Sequence, residues 1–204
     1  MARGARADEP LPLVIGVQPG REVIRQGEPY PDAWVVRSGA LLMEVVDHDG
    51  HRLVLDVLGP GDLVGGQADG VADASVRALV TSALLGATAA SLGVGLARRA
   101  RRVTRLASSL AWDRLGTRLV ARLDDLADRF GQPVPGGTRV ALPLTQEHLA
   151  ALTGATRETV NRALAELTEA QRVERRGGRY VVRSDPAGAD YPSDWSIARE
   201  HELQ

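Results

Sequence analysis

The stretch LTQEHLAALTGATRETVNRALAEL, residues 144–167, reads as two short helices joined by a sharp turn. Thr145 caps the first helix, with Gln146, Glu147 and His148 in its opening turn. A Thr hydroxyl there satisfies backbone N–H groups that lack an intrahelical partner. Leu149 and Leu152 point inward, and the small Ala150 lets a second helix come close. Gly154 stands where the first helix must end in a left-handed residue. Thr156 caps the second helix, whose buried face carries Val160, Leu164 and Leu167. Arg157, Glu158, Asn161 and Arg162 fall on the opposite, exposed side. Arg157 and Arg162 each offer parallel N–H groups that match guanine O6 and N7, and Glu158 accepts from a cytosine amine. All lie toward the N-terminal end of their helix, the end a recognition helix presents to base edges.

The flanks fit the same unit. A short strand (VALPL, 140–144) precedes the helices and a hairpin (VERRGGRYVVR, 173–183) follows them. The hairpin sets Arg175, Arg176 and Arg179 around Gly177-Gly178, where they are expected to hold phosphates and fix register without reading sequence. Residues 140–183 therefore read as a winged helix-turn-helix, and double-stranded DNA is the expected partner. Any one such helix is commonplace. The conjunction of caps, small residue, turn glycine, exposed charges and basic hairpin is what specifies.

The chain has 204 residues and a net charge of −1, which hides a strong asymmetry. Residues 1–97 sum to −5, residues 98–183 to +8 and residues 184–204 to −4. All 25 basic residues are Arg. A block at +8 suits a polyanion or, equally, a solvated helical face. With no Cys, disulfides, thiolate nucleophiles and cysteine-ligated clusters are excluded. No apolar run approaches the roughly 18 residues of a membrane helix. The opening MARGARADEPLPLVIG lacks the long apolar stretch of a secretory signal, so the cytoplasm is the expected location.

Residues 20–90 read as all-β. Runs such as AWVVRSG, LLMEVVD, RLVLDVL and SVRALV are bounded by Gly, Pro and Asp at regular intervals, as in a sandwich or barrel. Asp49-Gly50 predicts a tight type I′ hairpin turn. Residues 65–74 carry no strand pattern. Residues 94–130 read as helical. Leu96, Ala100, Val103, Ala107 and Leu110 repeat at heptad spacing, which suits either a seam against a second copy or packing within the chain. Asp113 is expected to cap a following helix carrying Leu115, Leu119, Leu123, Leu126 and Phe130. The class is α+β: a jelly roll over 1–93, a long helix over 94–112, and the winged unit with its tail over 113–204. Residues 184–204 read as extended or poorly ordered.

These motifs together resemble the CRP/FNR family of bacterial regulators over about residues 20–183. Gly39, Asp49-Gly50 and Leu58-Gly59-Pro60-Gly61-Asp62 match the glycine-punctuated β-roll of its cyclic-nucleotide-binding-like domain. Residues 96–111 take the place of its dimerisation helix. The resemblance implies a homodimer on an inverted repeat of TGTGA-like half-sites. It places Arg157 and Arg162 on guanines and Glu158 on the complementary strand. Thr145, Gln146 and Thr159 would then be phosphate contacts. Family members commonly activate by touching RNA polymerase, so an activator is expected.

The chain departs from the family at the effector site. Cyclic-nucleotide members place Gly-Glu after Pro-Gly-Asp, for the ribose, and Arg-Ser before a Val-Arg-Ala strand, for the phosphate. Here Gly65-Gly66 and Ala72-Asp73 stand at those places, before Val76-Arg77-Ala78. The carboxylate and the cation are missing and Asp73 would repel a phosphate. Tight cAMP binding is therefore not expected, and no cofactor is. The chain resembles the compact members thought to act without an effector. The alternative is a regulator that depends on a non-standard small ligand in the β-roll. A cupin-like metal enzyme would need ligands converging inside the barrel, whereas His48, Asp49 and His51 crowd a hairpin tip. No enzyme activity is expected.

Overall fold

The computed structural model describes residues 13–67 and 70–183. The reading of residues 184–204 lies outside them, as do residues 1–12. The described residues begin with eight strands: β1 (Val14–Val17), β2 (Glu22–Ile24), β3 (Ala33–Ser38), β4 (Leu41–Val46), β5 (Arg52–Leu58), β6 (Leu63–Gly65), β7 (Ser75–Ala78) and β8 (Ser82–Gly86). They form two antiparallel sheets, ordered β1-β8-β3-β6 and β2-β7-β4-β5. Val17, Trp34, Val36, Val64 and Leu84 of the first sheet pack on Ile24, Leu41, Met43, Leu58 and Val76 of the second.

Alternation explains why LLMEVV is apolar almost throughout. Leu41 and Met43 face the interior of the roll. Leu42, on the other face, joins the core of the C-terminal half. A strand covered on both faces has no reason to alternate. Leu55 is a bulge, since Met43 pairs with Asp56 and Glu44 with Val54.

The Asp49-Gly50 turn differs from expectation. Gly50 has φ +85°, but Asp49 is not in the positive-φ region, so no type I′ turn forms. Instead Gly50 N–H donates to the Asp47 carbonyl and Asp47 N–H to the His51 carbonyl, closing a three-residue loop. The Asp47 carboxylate accepts from Asp49 N–H and His51 N–H, which favours this longer loop. His48 and His51 are exposed at its tip.

Helix α1 (Ala89–Trp112) begins earlier than residue 94, because Thr88 and Ser91 form a capping box. Its Gly95, Arg99 and Arg102 face the roll at steps of four and three. A Cβ at Gly95 would lie 2.6 Å from Leu63 Cβ, so only glycine admits this approach. Helix α2 (Leu115–Phe130) follows after a break. Asp113 does not cap it: Asp113 closes α1, accepting from Ser109 Oγ, and Arg114 is the α2 N-cap.

The C-terminal half holds β9 (Gly131–Val134), β10 (Gly137–Val140), α3 (Gln146–Thr153), α4 (Arg157–Glu169), β11 (Val173–Arg176) and β12 (Arg179–Val182). Its strands form one sheet ordered β11-β12-β10-β9. Leu119, Leu123 and Leu126 of α2 join Leu149, Val160, Tyr180 and Val182 in one apolar cluster, which also takes in Leu42, Val54 and Val57 of the roll.

A buried ionic lattice ties the halves together. Asp56 and Asp62 are 4% and 5% exposed. Arg102 of α1 reaches both, at 2.5 and 2.8 Å. Arg129 of α2 reaches both from the other side, at 3.3 and 2.8 Å, and donates to the Val57 carbonyl. Gly59 N–H donates to Asp62. Burial pushes the Asp56 pKa above the ordinary carboxylate value, against the pull of both guanidiniums. Removing one cation would strand a buried charge. Arg129→Leu is expected to cost about 3–5 kcal/mol, read from urea unfolding. A loss under about 1 kcal/mol would mean that water screens the lattice as it does a surface pair.

Candidate nucleic-acid interface

Local chemistry builds the helix pair as the sequence suggests. Thr145 Oγ1 accepts from His148 N–H at 3.1 Å, and His148 Nδ1 accepts from Thr145 N–H at 3.2 Å. This is a capping box with His in the place usually held by Glu or Gln. Gly154 adopts φ +59° and ψ +41°, and its N–H returns to the Ala150 carbonyl. Thr156 Oγ1 accepts from Thr159 N–H and opens α4. Ala150 and Ala151 of α3 and Ala163 of α4 are buried, which is what lets the two axes approach.

The predicted reading residues are not equivalent. Glu158 and Arg162 are exposed and, among the described residues, without a side-chain partner. Arg157 is exposed too, with its Nε 3.4 Å from Gln146 Oε1 of α3. Gln146 thus helps orient Arg157. Asn161 is half-buried, and its Oδ1 is turned into the protein with no partner. It sits at the edge of the reading face. The Thr159 hydroxyl is shared with Thr156 at 2.7 Å.

The hairpin residues also divide. Gly177 and Gly178 both have positive φ, giving the two-residue turn that a right-twisted hairpin needs. Arg175 lies over the Tyr180 ring at 5.9 Å. Arg176 makes a two-pronged pair with Glu174. Among the described residues Arg179 donates only to the neutral Ala141 carbonyl.

The basic block of 98–183 is not wholly a DNA-facing surface. Arg102 and Arg129 are consumed by buried carboxylates. Arg118 holds backbone carbonyls at the α1–α2 break. Part of the excess charge is structural, which composition alone left open.

The five heptad residues of α1 split as well. Leu96, Ala100 and Ala107 are exposed. Val103 leans on the core of the roll. Leu110 sits over the helix-turn-helix turn, since its Cδ2 would be 2.9 Å from a Cβ at Gly154.

The loop after β6 was legible only as a set of missing residues. Arg99 of α1 lies at its start and donates to the carbonyls of Leu63 and Gly65 in β6, at 2.8 and 3.0 Å. Burial lowers the Arg99 pKa, while Asp56, Asp62 and Asp73 oppose that shift. Asp73, expected to repel a phosphate, is thus one of three acids that favour the charge on Arg99. Leu92 packs over Gly66.

His148, in the opening turn of α3, is half-buried beside the Arg52–Glu44 pair of the roll. Burial, then Arg52, hold its pKa below the ordinary histidine value. A depressed histidine contributes stability that is full above about pH 6.5 and is lost as pH falls toward the folded value. The urea midpoint is expected to fall more for wild type than for His148→Gln between about pH 7.5 and about pH 5.5. The Gln keeps a capping acceptor that does not titrate. Equal falls would show that His148 does not carry the effect.

Residues 117–188 match the Crp-like helix-turn-helix domain family, and residues 15–93 match the cyclic nucleotide-binding domain family. The CRP-like cAMP-activated global transcriptional regulator of Mycobacterium tuberculosis is 31% identical over 185 residues, covering 81% of each chain. The regulatory protein CysR of Synechococcus elongatus is 30% identical over 155 residues, covering 74% of this chain and 75% of its own. A CRP/FNR-family regulator of Thermus thermophilus has a similar fold, with a TM-score of 0.75 at 24% identity over 84% of this chain and 94% of that one. Among the described residues, no helix is long and apolar enough to cross a membrane.

Proposed function

The chain belongs to the CRP/FNR family of DNA-binding transcription regulators, and from that premise we propose that it acts as a cytoplasmic homodimeric activator that binds an inverted repeat without cAMP. The observation that carries effector independence is Arg99. Its guanidinium sets a permanent cation against β6, at the mouth of that loop, and bonds two of the strand's carbonyls. A bound effector would have to displace these bonds, and neither Gly65 nor Gly66 offers it a carboxylate in return.

On this reading Arg157 and Arg162 contact guanines, Glu158 the complementary strand, and Asn161 the margin of the site. Thr145, Gln146, Thr159, Arg175, Arg176 and Arg179 meet phosphates. Leu96, Ala100 and Ala107 are the free part of a seam, completed by Val103 and Leu110, that buries itself against a second copy. RNA polymerase is the partner of the DNA-bound dimer. The domain spans 1–93, 94–112 and 113–204 assign roll, seam and reader.

A second reading has its own support. The mycobacterial relative is described as cAMP-activated. On that view the roll takes a small ligand through residues other than the usual pair.

Fluorescence anisotropy on a duplex with TGTGA-type half-sites separates the two readings. Wild type is expected to bind without nucleotide, and Arg157→Ala to lose about 1–3 kcal/mol per contact. Binding that appears only with cAMP would establish the second reading. Leu96→Glu is expected to sediment as a monomer and to bind the repeat weakly. In a reporter with the site upstream of a core promoter, a fall in output on adding the protein would overturn activation.

A further inference from the structure

The sheet β11-β12-β10-β9 has two unlike faces. Val140, Val173, Tyr180 and Val182 turn inward to the shared core. Register puts the alternate residues on the outer face: Arg139 pairs with Val181 and with Gln132, and Arg176 pairs with Arg179. That outer face carries Arg139, Arg176, Arg179 and Arg183 against one acid, Glu174. Arg176 and Arg183 are both paired with the single carboxylate of Glu174, at 3.0 and 3.2 Å. Arg139 and Arg179 are not. Arg139 donates to Gln132 Oε1 and Arg179 to the Ala141 carbonyl, both neutral acceptors. Among the described residues neither has a carboxylate partner. These two guanidiniums flank an open groove of about 340 Å³, lined also by Gln132, Ala141 and Gly177.

We propose that this groove grips the DNA backbone outside the base-read half-site, with Arg139 as a phosphate contact beyond those of the helix-turn-helix and the wing tip. The inference rests on the DNA-binding reading and extends it. Strand order acts as a ruler. Helix α4 packs against β11, and β10 is two strands further out. At about 4.8 Å per strand, Arg139 stands about 10 Å further from the recognition helix than β11 does. Projected on the duplex axis, that is about three base-pair rises of ~3.4 Å. The groove starts at Gly177 in the wing turn and runs to Gln132 on the outermost strand, so a backbone touching the wing continues into it. Paired guanidiniums with unused N–H groups hold phosphate oxygens by two bonds each.

The test compares two duplexes: one ending at the outer edge of the repeat, and one extended by about one helical turn on each side. Both are run with the specific and with a scrambled repeat. Wild type is expected to bind the long duplex more tightly, and Arg139→Gln to lose most of that gain, several-fold in Kd. Arg139→Lys keeps the charge and is expected to keep part of the gain. The salt slope on the long duplex should fall by about one for each Arg139 removed. The preference for the specific over the scrambled repeat should not change. An equal loss on both duplexes would place the contact inside the half-site and overturn the proposal. Tighter binding by Arg139→Gln would mean that the acidic segment 184–204, not DNA, occupies the face, and would overturn it too. So would inorganic phosphate raising the melting temperature of wild type but not of Arg139→Gln, with no difference between duplexes. If wild type binds neither duplex, the DNA-binding reading itself has failed. If wild type gains from the extension and Arg139→Gln gains as much, only this inference has failed.

Discussion

Two buried carboxylates and the two largely covered guanidiniums that reach them hold this chain in one arrangement. Asp56 and Asp62 belong to the roll, Arg102 to α1 and Arg129 to α2. Each acid sees both cations. Such a lattice adds little net stability over an apolar contact of the same volume, because desolvating four charges is costly. Its effect is on alternatives. A rotation of α2 against α1 would break several charge-assisted bonds and leave ions buried, whereas an apolar contact would slide at small cost. The lattice thus specifies the angle at which the reading unit meets the roll. The apolar cluster that runs from Leu42 and Val57 to Leu149 and Val160 supplies the adhesion.

How much of this could be read in the residues depended on range. The helix-turn-helix rests on signals within about one turn of their targets: Thr145 and Thr156 as caps, Gly154 in the left-handed region, and Val160 on the inner face. Local physics fixes these features. The lattice joins residues 56 and 62 to 102 and 129. Nothing near Arg129 announces a partner some seventy positions away in the chain. Asp62 was seen, but as part of a turn motif. Arg99 was hidden for the same reason, one Arg among many in a basic helix.

Two local readings also lost to competition. Asp49-Gly50 favours a two-residue turn, yet the Asp47 side chain offers backbone donors a better acceptor and draws the loop out. Asp113 is a good N-cap by type, but its carboxylate is taken by Ser109 and its N–H closes α1. In both places a side chain within four positions outbid the propensity of the residue itself. The heptad seam is a milder case. The same spacing has an intrachain use, since Val103 leans on the core of the roll and Leu110 sits over the turn at Gly154.

The apolar cluster that spans both halves bears on modularity. Leu42, Val54 and Val57 are as much a part of the reader's core as Leu123 or Val182. The border between roll and reader is therefore a cleavage plane through a hydrophobic interior, not a tether between finished parts. Recombination at that border would pair half-cores that never co-adapted, and a transplanted reader would arrive with an uncovered oily flank. Exchange of sensing and reading functions between relatives of this shape is open only to pieces that carry their facing side chains with them.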